Sequence, residues 1–260
     1  MSPWVHRTSH SLFTTIWSKL SLKICLKFNK LNPDAVKFNY AKPMRDAYHE
    51  ELDGISHTLV RLAELVDEAM TRSTKALLES DRALAEEVIA ADAVIDQIQH
   101  ELDATTINLI ARQQPVAGDL RILVTSLRMS ADLERMGDLA DHVSKVARMR
   151  YPACAVPEEL RSTISEMGKV ASLVVQKMAK IIADRDIDGA LALEKDDDLM
   201  DQLHRKLFIA LLEPSWTHGI ETAIDVTLIG RYYERYSDHA VSVARRLYYL
   251  VTGEYANQQS

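Results

Sequence analysis

The segment Glu134-Arg135-Met136-Gly137-Asp138 returns downstream as Glu234-Arg235-Tyr236-Ser237-Asp238, and Ala140 returns as Ala240, all at an offset of 100 residues. A second pair of segments agrees. Asp92-Ala93-Val94-Ile95-Asp96-Gln97-Ile98 is matched by Asp197-Asp198-Leu199-Met200-Asp201-Gln202-Leu203 at an offset of 105. Repetition on this scale means two copies of one structural unit, whose long helices must each bury an apolar stripe. The two offsets differ by five, and the surplus in the first copy is expected around Gln113-Gln114-Pro115-Val116-Ala117-Gly118.

The prolines divide each copy. After Pro43 they stand at Pro115, Pro152, Pro157 and Pro214. Proline inside a helix costs about 3 kcal/mol or more, so these positions mark boundaries. A first helix is predicted from Arg45 to Leu78, broken near Ser80-Asp81, with Asp81 as N-cap of a second that runs to Gln113. A third is predicted from Asp119 to Arg150, with Pro152–Pro157 as a linker. A fourth should end near Asp184-Arg185, and a fifth should run from Asp186 or Asp188 to just before Pro214. A sixth should stop at Gly253. Glycine and proline number only 8 and 7, and strand alternation is almost absent after residue 43. The expected fold is all-α: two tandem three-helix bundles related by an internal pseudo-repeat, over residues 44–151 and 152–260.

Apolar stripes support this. Met129, Leu133, Met136, Ala140, Val143 and Ala147 recur at helical spacing, as do Ile229, Tyr233, Tyr236, Ala240, Val243, Leu247 and Leu250. Both sets are expected in the core of long, nearly aligned helices. At 100° per residue, Glu134, Asp138 and Asp141 lie well away from the first stripe, and Glu234 and Asp238 from the second. These carboxylates should face solvent, a groove or the other half.

Residues 1–43 do not belong to the repeat. They hold seven Lys/Arg and one Asp, a net +6 in a chain of net −7, so the remainder carries −13. An acidic body excludes a nucleic-acid groove and suits cations or basic partner surfaces. Lysines interrupt the apolar residues of the extension, which excludes a signal peptide. Leu20 to Phe28 alternates as a strand would, without a partner strand. A loosely ordered extension is expected, with Met44 a natural start. Cys25 and Cys154 form no metal spacing and read as reduced thiols. No run reaches the roughly 18 apolar residues of a membrane span.

Glu134/Asp138 and Glu234/Asp238 are each one turn apart on a helix, where like charges repel by about 0.2–0.5 kcal/mol. Doing this twice in register calls for a counter-cation. Arg135 and Arg235 are the local candidates, and a metal ion is the other. Asp92, Asp96, Asp197 and Asp201 add the same spacing on neighbouring helices, and Asp141 stands close by. Hard oxygen donors from two helices favour Mg²⁺, Mn²⁺, Ca²⁺ or iron over zinc or copper. His142 and His239 flank these faces as possible assistants. A di-iron oxidase would need Glu-x-x-His, which does not occur here. GxSxG and a phosphate-cradling loop are also absent. No catalytic residue or organic cofactor is indicated. A helical metal-storage or redox protein stands as the alternative reading.

Several segments together resemble the PhoU family: Arg112-Gln113-Gln114-Pro115-Val116-Ala117-Gly118-Asp119-Leu120-Arg121, Leu133 to Asp138, Glu234 to Ala240, the Asp92/Asp96 spacing, and the ending Tyr249-Leu250-Val251-Thr252-Gly253. The resemblance spans Met44 to Glu254. It implies a cytoplasmic, non-enzymatic regulator of phosphate homeostasis. Such a protein couples a phosphate ABC transporter, through its ATPase subunit, to a sensor histidine kinase, and represses uptake and the starvation response when phosphate is sufficient. It also implies a homodimer that meets the membrane only through partners, and metal binding at Glu134/Asp138 and Glu234/Asp238. Val241 stands where the first copy has Asp141, so the two sites should be unequal.

Overall fold

The computed structural model describes residues 44–256, and the fold belongs to the unit that begins at Ala47. The basic extension, with Cys25 and the Leu20–Phe28 alternation, lies outside the described residues. Six helices follow in order: α1 Met44–Glu79, α2 Arg82–Gln113, α3 Ala117–Arg150, α4 Glu158–Asp184, α5 Ile187–Leu212 and α6 Gly219–Thr252. Among the described residues there is no strand, and the all-α prediction holds.

Local chemistry sets the boundaries. Ser80 turns into left-handed backbone after α1, and the Asp81 side chain accepts the Leu84 N–H at 3.0 Å to start α2. Asp186 repeats that cap on Gly189 N at 3.0 Å. Gly253, at φ +81°, closes α6 by donating to the Tyr249 carbonyl at 2.8 Å. One expectation is corrected. The five-residue surplus is not in the loop between α2 and α3, which spans only residues 114–116. It lies in the helices: α2 continues to Gln113, 21 residues past Asp92, whereas α5 stops at Leu212, 15 past Asp197. Pro115 does not push α3 to a later start because it sits just ahead of the N-cap, Val116.

Every residue of the two predicted stripes is buried, within one continuous hydrophobic core. α3 packs against α2 and α6, and α6 against α3, α4 and α5. α1 reaches both copies. Ser73 Oγ donates to the Ala140 carbonyl of α3 at 2.8 Å, and Tyr236 OH of α6 donates to the Val66 carbonyl at 2.9 Å. Thr74 Oγ1 and Tyr233 OH share a hydrogen bond of 2.7 Å. On α4, a Cβ at Gly168 would meet Thr74 Cγ2 at 2.7 Å, so only glycine allows that approach. α3 and α6 run antiparallel along their length, tied near Arg121 and Leu250 at one end and at Arg150 and Asp225 at the other.

Candidate functional site

The carboxylates of α2 and α3 face one another. Asp92 and Asp96 sit half-buried one turn apart on α2, and Glu134 and Asp138 sit likewise on α3. The helices meet closely at Gly137, where a Cβ would lie 3.1 Å from Asp92 Oδ1 and 3.1 Å from Ile95 Cδ1. Crowding shows in the proton affinities. Burial, then the charges of Asp141, Asp96 and Asp138, push the Asp92 carboxyl up to about 6. Burial and Asp138 raise Glu134, with Arg135 offsetting part and Asp96 adding to the rise.

α5 and α6 build a second cluster from Asp197, Asp201, Glu234 and Asp238. Burial raises Asp197 above its ordinary value; the Ser237 hydroxyl relieves part of that, and the charges of Asp238, Asp201 and Asp198 add to it. Burial and Asp138's counterpart, Asp238, raise Glu234, with Arg231 offsetting part. Thus the nine predicted carboxylates are gathered into two groups, one for each helix pair.

Three features depart from the sequence reading. Asp141, expected off the core, is 4% exposed. α3 is covered by α2 on one flank and by α1 and α6 on others, so its buried surface is wider than one stripe. Val241 is equally enclosed, at 5%. The basic partners also differ between copies. Arg135 pairs with Asp138 and Lys145 with Asp141, but Glu234 takes Arg231 rather than Arg235. Finally, both histidines have partners away from the carboxylate pairs. His142 stacks on Tyr232 with centroids 5.2 Å apart. His239 Nδ1 lies 3.1 Å from Asp132 Oδ1, whose other oxygen accepts Arg246 Nε at 2.5 Å.

A histidine the sequence reading passed over does stand at the second cluster. His204 is one turn beyond Asp201 and within reach of the charges of Asp201 and Asp238. Burial and Arg231 hold its imidazole below the ordinary value, hence neutral at pH 7, and its Nε2 is buried without a hydrogen-bond partner. The spacing Asp201-x-x-His204 was the available signal.

The residue types are hard oxygen donors, and two of their oxygens stand unanswered. Asp141 Oδ1 and Glu234 Oε2 are buried with no hydrogen-bond partner in the structure, and in each group like charges outweigh the nearby basic side chains. Among the described residues no group of three or more carboxylate, imidazole or thiol side chains is placed to hold a metal ion as the side chains stand. The first group would offer Asp92, Asp96, Glu134, Asp138 and Asp141. The second would offer Asp197, Asp201, Glu234 and Asp238, with His204 beside them. No nucleophile paired with a base occurs at either cluster.

An all-helical protein with a duplicated carboxylate face on paired long helices is the class these features define. The PhoU domain matches the sequence twice, over residues 59–147 and 164–247. The phosphate-specific transport system accessory protein PhoU homolog 2 of Mycobacterium tuberculosis is 44% identical over 212 residues, 82% of this chain and 100% of that protein. PhoU homolog 1 of Mycobacterium leprae is 43% identical, over 82% of this chain and 96% of that protein. The crystal structure of the phosphate transport system regulatory protein PhoU from Streptococcus pneumoniae superposes with a TM-score of 0.72. It is 26% identical, and the match covers 80% of this chain and 99% of that one. PhoU from Pseudomonas aeruginosa gives 0.70 at 27% identity, over 80% and 100% of the two chains. The chain belongs to the PhoU family.

Proposed function

We propose that this protein is a regulatory accessory component of phosphate uptake. It couples a phosphate ABC transporter, through its ATPase subunit, to a sensor histidine kinase, and lowers uptake and the starvation response when phosphate is sufficient. The observation that carries this reading is the twofold PhoU match together with near full-length likeness to proteins named for the phosphate-specific transport system. The acidic groups support it as well: none carries the apparatus of catalysis, and each lies between two helices whose separation a cation would set. A divalent or iron-type ion bound there would cancel the carboxylate repulsion and hold α2 to α3, or α5 to α6. As a cytoplasmic homodimer it meets the membrane through its partners. No described helix is long and apolar enough to cross a membrane.

The test is deletion of the gene, with phosphate-starvation expression read at high phosphate. Mycobacterium tuberculosis has both PhoU homolog 1 and homolog 2, so the strain should lack any second copy and be complemented with this chain. Starvation genes should be derepressed on deletion and silenced again on complementation. Repression that persists in the strain lacking every copy overturns the reading. Catalytic turnover of iron with oxygen by the purified protein would favour the storage or redox alternative instead.

A further inference from the structure

The body of the protein is acidic, yet one cleft is not. Where α6 ends beside the start of α3, an open cleft of about 220 Å³ is lined by Thr125, Arg128, Ser242, Arg245, Arg246 and Tyr249, with Tyr255 at its edge. The lining is a consequence of helical spacing. Thr125 and Arg128 share one face of α3, and Ser242, Arg245, Arg246 and Tyr249 recur at three and four residues on α6. A fourth guanidinium stands close by: Arg121 Nε donates to the Leu250 carbonyl at 3.0 Å and its Cζ lies 6.0 Å from the Tyr249 ring centre.

The positive charge is only half answered. Arg245 pairs with Glu194, and Arg246 with the buried Asp132. Arg128 has no ion-pair partner among the described residues. Tyr249 and Tyr255 stack at 4.6 Å and 13°, and Tyr255, 53% exposed, turns aromatic surface to solvent.

The repeat supplies an internal control. At an offset of 100, Thr125 and Arg128 correspond to Asp225 and Leu228, and Ser242, Arg245, Arg246 and Tyr249 to His142, Lys145, Val146 and Met149. Those residues lie at the opposite end of the α3/α6 pair, where the same backbone arrangement keeps one of the three basic side chains, Lys145, which is tied to Asp141, and neither hydroxyl nor tyrosine. The fold therefore does not require the cluster.

We propose that this cleft binds a small phosphoryl-bearing anion. Guanidinium forks match phosphoryl oxygens in pairs, and the hydroxyls of Thr125 and Ser242 add donors. The cleft's volume equals roughly seven water molecules at about 30 Å³ each, enough for one or two phosphoryl groups. The stacked tyrosines beside it offer a platform for a flat base. The shared chemistry is the phosphoryl dianion, whose sources are free orthophosphate or a nucleoside phosphate. The site is separate from the carboxylate clusters and stands whether or not the regulatory reading does.

The experiment is titration calorimetry of the full chain in EDTA at constant ionic strength. Orthophosphate, diphosphate, AMP and ATP are the probes, and sulfate and chloride the controls. Saturable binding of a phosphoryl anion at millimolar concentration or below is expected, weakening at least about tenfold in R128A and in R245A, as loss of a charge-assisted contact requires. R148A, an exposed arginine at the other end of α3, should bind like wild type. All three variants should keep the wild-type unfolding temperature, since none of these side chains is buried. Nucleotides binding more tightly than orthophosphate, with the excess lost in Tyr255→Leu, assign the nucleoside source. Equal affinities for nucleotides and orthophosphate, untouched by Tyr255→Leu, assign free phosphate. Heat no greater than with sulfate, or affinity unchanged in R128A and R245A, overturns the proposal.

Discussion

The two carboxylate clusters occupy equivalent places in the repeat and solve the same problem differently. In the first, a fifth acid, Asp141, is buried and tied to Lys145 while raising Asp92 next to it. In the second, the equivalent place holds Val241, and the basic residue one turn later, Arg245, is turned to Glu194. Gly137 lets α2 approach α3 against Asp92, while Ser237 occupies that position opposite Asp197. The first cluster is thus the more crowded with charge, and the second has a neutral imidazole at its edge. One backbone arrangement tolerates both, so cluster charge is a property of a few side chains and not of the fold.

The comparison is broken most forcefully by giving the second cluster the acid it lacks. Val241→Asp places a carboxylate at a site 5% exposed, the counterpart of the Asp141 that raises Asp92, and here facing the already raised Asp197. A loss of about 3 kcal/mol is expected in denaturant unfolding without metal. If the loss is under about 1 kcal/mol, Arg245 has left Glu194 to neutralise the newcomer, and the copies are interchangeable.

A pH titration tests the crowding in the unaltered protein. Asp92 binds its proton more tightly folded, at about 6 against an ordinary 3.8. Between these values the native state holds more protons than the unfolded state, so stability from this group grows as pH falls from about 7 to 4. The gain should be no more than about 2 kcal/mol once solvent screening of a half-buried group is discounted. Glu134, Asp197 and Glu234 act in the same direction. Metal-free protein whose stability falls steadily over that range would show that the clusters are not the dominant carboxylates.

Much of this was legible in the sequence, for physical reasons that also mark where legibility ended. Asp81 and Asp186 cap helices through bonds three residues long, and Gly253 needs only its own backbone. Such signals are local, and so were the stripes and the i, i+4 acid pairs. The Asp132–His239–Arg246 contact joins helices more than a hundred residues apart, and nothing in either segment announces the antiparallel pairing of α3 with α6. Asp141 was misplaced because one stripe was counted on a helix that is covered on several sides. Arg231 stands three residues before Glu234 on the same helix face, whereas Arg235 is its immediate neighbour and points about 100° away, so this pairing was open to counting.

Metal addition sharpens the comparison further. At ten times its dissociation constant a cation adds about 1.4 kcal/mol, a rise of about 3–6 °C for a chain of this size. Mg²⁺ or Mn²⁺ should raise the unfolding temperature beyond a sodium chloride control of equal ionic strength. The pair E134Q/D138N should remove more of that rise than E234Q/D238N, because the first cluster holds the additional Asp141 donor. Equal losses would mean that Asp141 takes no part, and a rise matched by sodium chloride would mean that neither cluster is a site.

The smallest effect separates the two copies most cleanly, because it puts the same residue in both. Asp141→Asn keeps the shape of the side chain and removes its charge. Lys145 loses its partner but is half exposed and can return to water, so that loss is worth little. Against it stands relief of the repulsion on Asp92, and the new amide gains a donor that the neighbouring carboxylate can accept. The metal-free D141N protein should be as stable as wild type or up to about 1 kcal/mol more stable. NMR titration should show the Asp92 carboxyl falling from about 6 toward its ordinary range. Val241→Asn should move the other way, losing about 1–3 kcal/mol, since an amide replaces an enclosed valine with no partner prepared for it. Opposite signs for one residue at two equivalent places would establish that the environment at 141 is built for a polar group and the one at 241 is not. If both variants destabilise equally, the Lys145–Asp141 pair outweighs the repulsion, and Asp141 is held in place by that pair alone.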